Sequence, residues 1–164
     1  MILNLDGLTL AGLAATDETT VTTLPIATTA YSNRTVLRVP ILVTAGDVLD
    51  ITAQMQITND TGKVIGTGLH LLVYDVDIVP VIPVADRPWT EIAPLTADNC
   101  PPDRHHMPLA TSAIWPVPAD WPADHRVMVV LQAAAFRSST PGGETVRVDQ
   151  GYDLLTVRRY TPTT

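Results

Sequence analysis

Between residues 47 and 58 the chain reads DVLDITAQMQIT. Leu49, Ile51, Ala53, Met55 and Ile57 share one side of a period of two, and Asp50, Thr52, Gln54, Gln56 and Thr58 share the other. That alternation predicts a strand with one dry face and one polar face; a helix would scatter the same apolar residues around its circumference. Residues 36–43 form a second β-rich run, separated from the first by Thr44-Ala45-Gly46-Asp47. Gly46 tolerates the positive φ of a tight reversal, so the two runs read as a hairpin.

Further elements follow by the same reasoning. Thr58-Asn59-Asp60-Thr61-Gly62 is a turn cluster, with Asn and Asp able to cap their own backbone. A returning strand starts at residues 63–65, and Gly66-Thr67-Gly68 reads as a break or bulge in it. Residues 69–79, LHLLVYDVDIV, are apolar on both faces early on, which suits a central strand covered on both sides. Residues 126–136, RVMVVLQAAAF, form another apolar strand, residues 138–143 a turn, and residues 144–150 and 154–160 two alternating strands. The dry face is expected to comprise Val39, Ile41, Ile51, Met55, Ile57, Leu71, Val73, Val127, Val129, Leu131, Val146, Val148, Leu155 and Val157.

Two stretches lack this regularity. Residues 1–33 place Ile2, Leu3, Leu5, Leu8, Leu10 and Leu13 around Gly7 and Gly12, then run through a threonine-rich segment. They read as an extended N-terminal arm that pairs with a sheet edge or with another subunit. A first strand packed on its own domain is the other reading these residues allow. Residues 80–122 hold ten of the 14 prolines. Proline removes a ladder donor, so a loop-rich excursion is expected there, with one strand near residues 109–115. Eight or nine strands and no convincing helix define an all-β, single-domain β-sandwich, of jelly-roll type, over residues 34–164. An immunoglobulin-like sandwich is the second choice; it lacks the usual cysteine pair.

Composition narrows the function. Hydrophobic residues make up 46% of the 164 positions and charged residues 16%, the balance of a folded chain. The net charge of −7 and the single lysine, Lys63, argue against a nucleic-acid partner. The N-terminal apolar residues lack a basic leader and are interrupted by Asp6 and Gly7, so they read as neither signal peptide nor membrane span. Cys100 is the only cysteine, so stability must come from packing and pairing alone.

Candidate chemistry is sparse. Asp98, Cys100, Asp103, His105 and His106 are metal-competent types, and His125 with Asp120 and Asp124 could join them, but no CxxC or HxH spacing supports a site. Adjacent histidines on a strand point to opposite faces. No Gly-x-Ser-x-Gly, phosphate loop or placed carboxylate pair occurs, so neither catalysis nor a cofactor is expected. Trp89, Trp115 and Trp121 all adjoin prolines. Trp89 and Trp121 suit a plug or subunit contact, and alternatively a platform for stacking sugars.

Three segments, VPILVTAGD at residues 39–47, HHMPL at 105–109 and GYDLLTVRRY at 151–160, resemble small virion structural proteins of tailed actinobacteriophages, of the minor tail or capsid decoration kind. The resemblance covers roughly residues 36–160 and brings no catalytic residue. It implies a non-enzymatic component, assembled in the host bacterial cytoplasm and sited on the particle exterior, that works in many copies with itself and with other virion proteins. Ile2, Leu3, Leu5, Leu8, Leu10, Trp89 and Trp121 would make its contacts. The alternative is a carbohydrate-binding or host-receptor-binding sandwich.

Overall fold

The structure, a computed structural model, describes residues 7–29, 33–76, 89–137 and 142–163. Ten strands follow in chain order: β1 (Leu8–Thr16), β2 (Thr23–Ala27), β3 (Arg34–Val43), β4 (Val48–Asn59), β5 (Ile65–Asp75), β6 (Trp89–Cys100), β7 (Arg104–Pro116), β8 (His125–Phe136), β9 (Thr145–Val148) and β10 (Leu154–Pro162). No helix occurs among the described residues.

One layer runs β1-β10-β4-β7, with β9 beside the C-terminal end of β4. The other runs β3-β8-β5-β6. Short β2 stitches the layers together: Thr23–Pro25 pairs with β9, and Ile26 and Ala27 pair with β8. With β2 and β9 set aside, one layer holds the first, last, third and sixth long strands and the other the second, seventh, fourth and fifth. This is the jelly-roll order, and the expected all-β sandwich is the one observed.

Each layer turns its period-two apolar face inward. Leu49, Ile51, Met55, Ile57, Leu155 and Val157 from one layer join Val36, Leu37, Leu71, Val129 and Leu131 from the other in a single buried cluster. Every residue of the expected dry face is buried except Ile41, which packs half-buried against the cluster. Leu72 and Val130 are buried although they alternate with the inward set, so apolar side chains are shielded on both faces of the second layer there, as the apolar run of β5 indicates.

Four expectations need correction. The reversal at Thr44-Ala45-Gly46-Asp47 exists, with Gly46 at φ 84°, but it is not a hairpin. β3 pairs with β8, whereas β4 pairs with β10 and β7, so the chain turns a corner from one layer to the other. Gly66-Thr67-Gly68 is not a break: all three residues lie in register inside β5, and Phe136 packs over Gly66.

The proline-rich excursion contains two long strands rather than one. β6 and β7 are the outermost strands of their layers among the described residues, where a missing ladder donor is tolerated. Pro94 falls at a register shift of β6, and Pro108 sits opposite Gln56 in β7. Residues 80–88 of the excursion lie outside the described residues.

Finally, residues 8–27 are not set apart from the sandwich. β1 runs antiparallel along β10, and β2 buries Leu24 and Ile26 in the core. The edge along which β1 pairs thus belongs to its own domain.

Candidate assembly surface

β1 forms the margin of its layer. Leu8 lies opposite Pro162, Leu10 opposite Tyr160 and Leu13 opposite Arg158, with one extra residue at Ala11. Directly opposed residues in an antiparallel pair share a face. Since Leu155 and Val157 point into the core, residues 158, 160 and 162 point out, and Leu8, Leu10 and Leu13 point out with them. The bulge at Ala11 therefore keeps Leu10 and Leu13 on the same outer face. Leu10 is 54% exposed and Leu13 65%, and Leu154 on β10, opposite Gln54, adds a third uncovered leucine at 39%. The inward side of β1 is lighter, with Ala14 packed against the core.

Of the proposed contact residues, the structure brings Leu8 and Leu10 onto this margin, Leu8 half-buried. Ile2, Leu3 and Leu5 lie outside the described residues. Trp89 starts β6 in the layer that does not hold β1, paired through its backbone with Tyr74 of β5. Trp121 is half-buried, edge-on to Trp115 with ring centroids 5.6 Å apart and tilted over His125 at 4.5 Å. Its ring is thus engaged by two aromatic neighbours of the same domain. Leu13 was visible as an apolar position but not as a contact, because only the bulge puts it beside Leu10. Leu154 sits at a polar-to-apolar strand start with no local signal of exposure.

A second polar constellation lies where β4, β7 and β9 meet. The buried carboxylate of Asp149 accepts the Thr58 hydroxyl at 2.9 and 3.0 Å and Arg147 Nε at 3.2 Å. His106 Nδ1 stands 3.3 Å from the same carboxylate, and His106 takes φ 51° in the bulge that offsets β7 from β4. His105 Nε2 lies 2.9 Å from Asp60, so the two histidines do serve different partners. The Thr58 hydroxyl faces Asp149 and the backbone N–H of His106, not an imidazole ring, so the order of nucleophile, base and acid is not formed. These groups clamp three strands together.

Nearby, Asp153 accepts Thr19 Oγ1 at 2.6 Å and the Gln56 N–H at 3.2 Å. Burial, reinforced by the neighbouring Asp149 charge, still pushes its carboxyl above the ordinary aspartate value. Among the described residues no three His, Cys, Asp or Glu side chains converge on a point that could hold a metal ion. Cys100 is buried, and its carbonyl accepts the Asn59 amide.

An open groove of about 370 Å³ crosses the outer face of the second layer, lined by Val21, Arg38, Tyr74, Met128 and Val130 among others. Burial raises the pKa of the Tyr74 phenol above its ordinary value, against the opposing hydrogen bond from Gln132.

The geometry defines an all-β jelly-roll sandwich with an uncovered apolar margin at β1. No family model matches the chain, and no curated protein matches it in sequence. Among solved structures, a chain of the T13 particle of infectious bursal disease virus aligns with TM-score 0.47 and 9% identity, covering 97% of this chain and 36% of that one. A chain of the Gx strain of the same virus aligns with TM-score 0.46 and 10% identity, covering 94% of this chain and 39% of that one. The chain thus spans little more than a third of the length of these neighbours. Likeness at this level assigns it no activity.

Proposed function

We propose that this chain is a non-enzymatic structural subunit of a virus particle, working in many copies. In its finer form the reading is a minor tail or capsid decoration component on the exterior of a tailed bacteriophage, in contact with copies of itself and with other virion proteins. The observation that carries it is the margin of β1, a strand with Leu10 and Leu13 uncovered on one face. Uncovered apolar surface on a stable strand marks a protein contact, and repetition by symmetry multiplies a modest one. The segment resemblance to virion proteins of tailed actinobacteriophages points the same way. The sugar-binding alternative is weakened at Trp121, whose ring is packed on Trp115 and His125.

The test is light scattering of the purified chain, joined to cosedimentation with host-free virions and immunogold imaging of them. The expected outcome is a defined oligomer, or saturable binding at one place on the particle. A chain that stays monomeric at high concentration and ignores the particle would overturn the proposal.

A further inference from the structure

We infer that β1 joins two copies of this chain edge to edge, in an antiparallel ladder about a two-fold axis, so that one layer of each sandwich continues into the other. The inference rests on the multi-copy reading above and specifies which partner the margin meets and how.

The four outermost strands differ in what they present. Among the described residues β3, β6, β7 and β1 each have one side without a strand partner. Natural sheets protect such edges with charge and proline. β3 carries Arg34, Arg38 and Pro40; β6 carries Glu91 and Pro94; β7 carries Arg104, His105 and Pro108. β1, LTLAGLAAT, carries neither a charge nor a proline over nine residues. Its bulge at Ala11 is the one irregularity, and regular runs lie on both sides of it.

Charge does not bar a second copy at β1 itself. The chain bears −7, so two copies repel over most of their surfaces. β1 itself is neutral over its nine residues, between Asp6 before it and Asp17 and Glu18 after it. A basic partner would gain nothing from this edge. Antiparallel self-pairing also satisfies the backbone of both copies at once, because the same surface serves each side of a two-fold contact. It brings Leu10 and Leu13 of the two copies onto one continuous outer face. Nine residues give a ladder about 30 Å long.

The experiment places a nitroxide on single cysteines introduced at Thr9, Leu10, Leu13, Ala15 and, beyond the strand, Thr20, with buried Cys100 left in place. Pulsed dipolar spectroscopy then reads the distance between the same residue in two copies. In an antiparallel pair this distance passes through a minimum inside β1 and grows by about 7 Å for each residue moved away from it. In parallel, Leu13→Lys, at an exposed position, should leave the circular dichroism spectrum and melting temperature unchanged while halving the mass of the smallest oligomer.

A V-shaped profile together with loss of the dimer by Leu13→Lys supports the ladder. An oligomer with no minimum inside β1, or one indifferent to Leu13→Lys, overturns the ladder and leaves the multi-copy reading standing. A wild-type chain that is monomeric but binds virions overturns the ladder alone, and a monomer that binds nothing overturns both.

Discussion

Arg159 holds Asp47 across the seam between the C-terminal strand and the corner that links the two layers. Asp47 has no exposed surface, and Arg159 Nε donates to its Oδ2 at 2.6 Å. Thr161 Oγ1 donates to Oδ1 at 2.8 Å and the Thr44 N–H to Oδ2 at 2.7 Å, so the carboxylate is fully engaged. Removing one partner of a buried ion pair costs more than the pair itself contributes, because the remaining charge is left without compensation. Arg159→Met should therefore lower stability by about 3 kcal/mol or more. Asp47→Asn with Arg159→Met should cost less than the two single changes summed, by about 1–3 kcal/mol. Urea unfolding of the four proteins in the cycle measures both; additive losses would show that the pair is not coupled.

Gly66 is glycine because of Phe136. A Cβ at position 66 would stand 2.5 Å from Phe136 Cε2 and 2.9 Å from Cδ2 and Cζ. Gly66→Ala forces the ring aside and should cost about 1–3 kcal/mol, the range for overpacking. Phe136→Leu in the same chain should recover part of that loss. Thermal melts of the single and double variants check it, and an unchanged melting temperature in Gly66→Ala would show that the ring yields freely.

Ile51 and Leu131 face each other's layer in the centre of the core, both without exposure. Truncating either to Ala should cost about 2–5 kcal/mol, the sum of lost transfer energy and the cavity left behind. Chemical denaturation reads this directly. A loss below about 1 kcal/mol at both sites would contradict the packing described.

Asp153 gives the fold a pH signature. Its folded pKa is raised, chiefly by burial, so the protonated form is favoured in the native state. The stabilisation from that proton is complete below the unfolded pKa and is lost as pH rises through the folded one. Asp153→Asn removes this component. The stability difference between the variant and the wild type should therefore shift in favour of the variant as pH rises from about 3 to 7, and then level off. Melting temperatures across that range test it; parallel curves would mean that Asp153 does not titrate differently in the native state.

Much of the core was legible because its signal is local. The alternation of Leu49, Ile51, Ala53, Met55 and Ile57 survives as a fully buried row in β4. It fails at Thr58 and Asn59, both buried, because distant groups claim them: Asp149 accepts the Thr58 hydroxyl, and the Asn59 amide reaches the carbonyls of Cys100 and Pro101. Partnership between strands was not legible for the same reason. Gly46 signals a reversal equally well whether the next strand pairs or crosses to the other layer, and the outcome is decided by β8 and β10, far along the chain. Prolines in residues 89–116 argued against strands only while their edge position was unknown. At the β1 margin, Leu8 and Leu10 were visible as apolar residues without a core role. Leu13 required the bulge, and the packing of Trp121 required Trp115 and His125 in place.

The pairing of β1 with β10 sets the order in which the protein can mature. Apart from β5 with β6, the long strands pair with partners remote in sequence, and folds built on such contacts form slowly, over milliseconds to seconds. During synthesis β1 is made early and has no strand to pair with until β10 exists. A nascent chain therefore cannot display the finished β1 margin, and unfinished or C-terminally clipped copies lack the strand that holds it in place. The finished margin is thereby found only on copies whose folding has been completed from one end of the sandwich to the other.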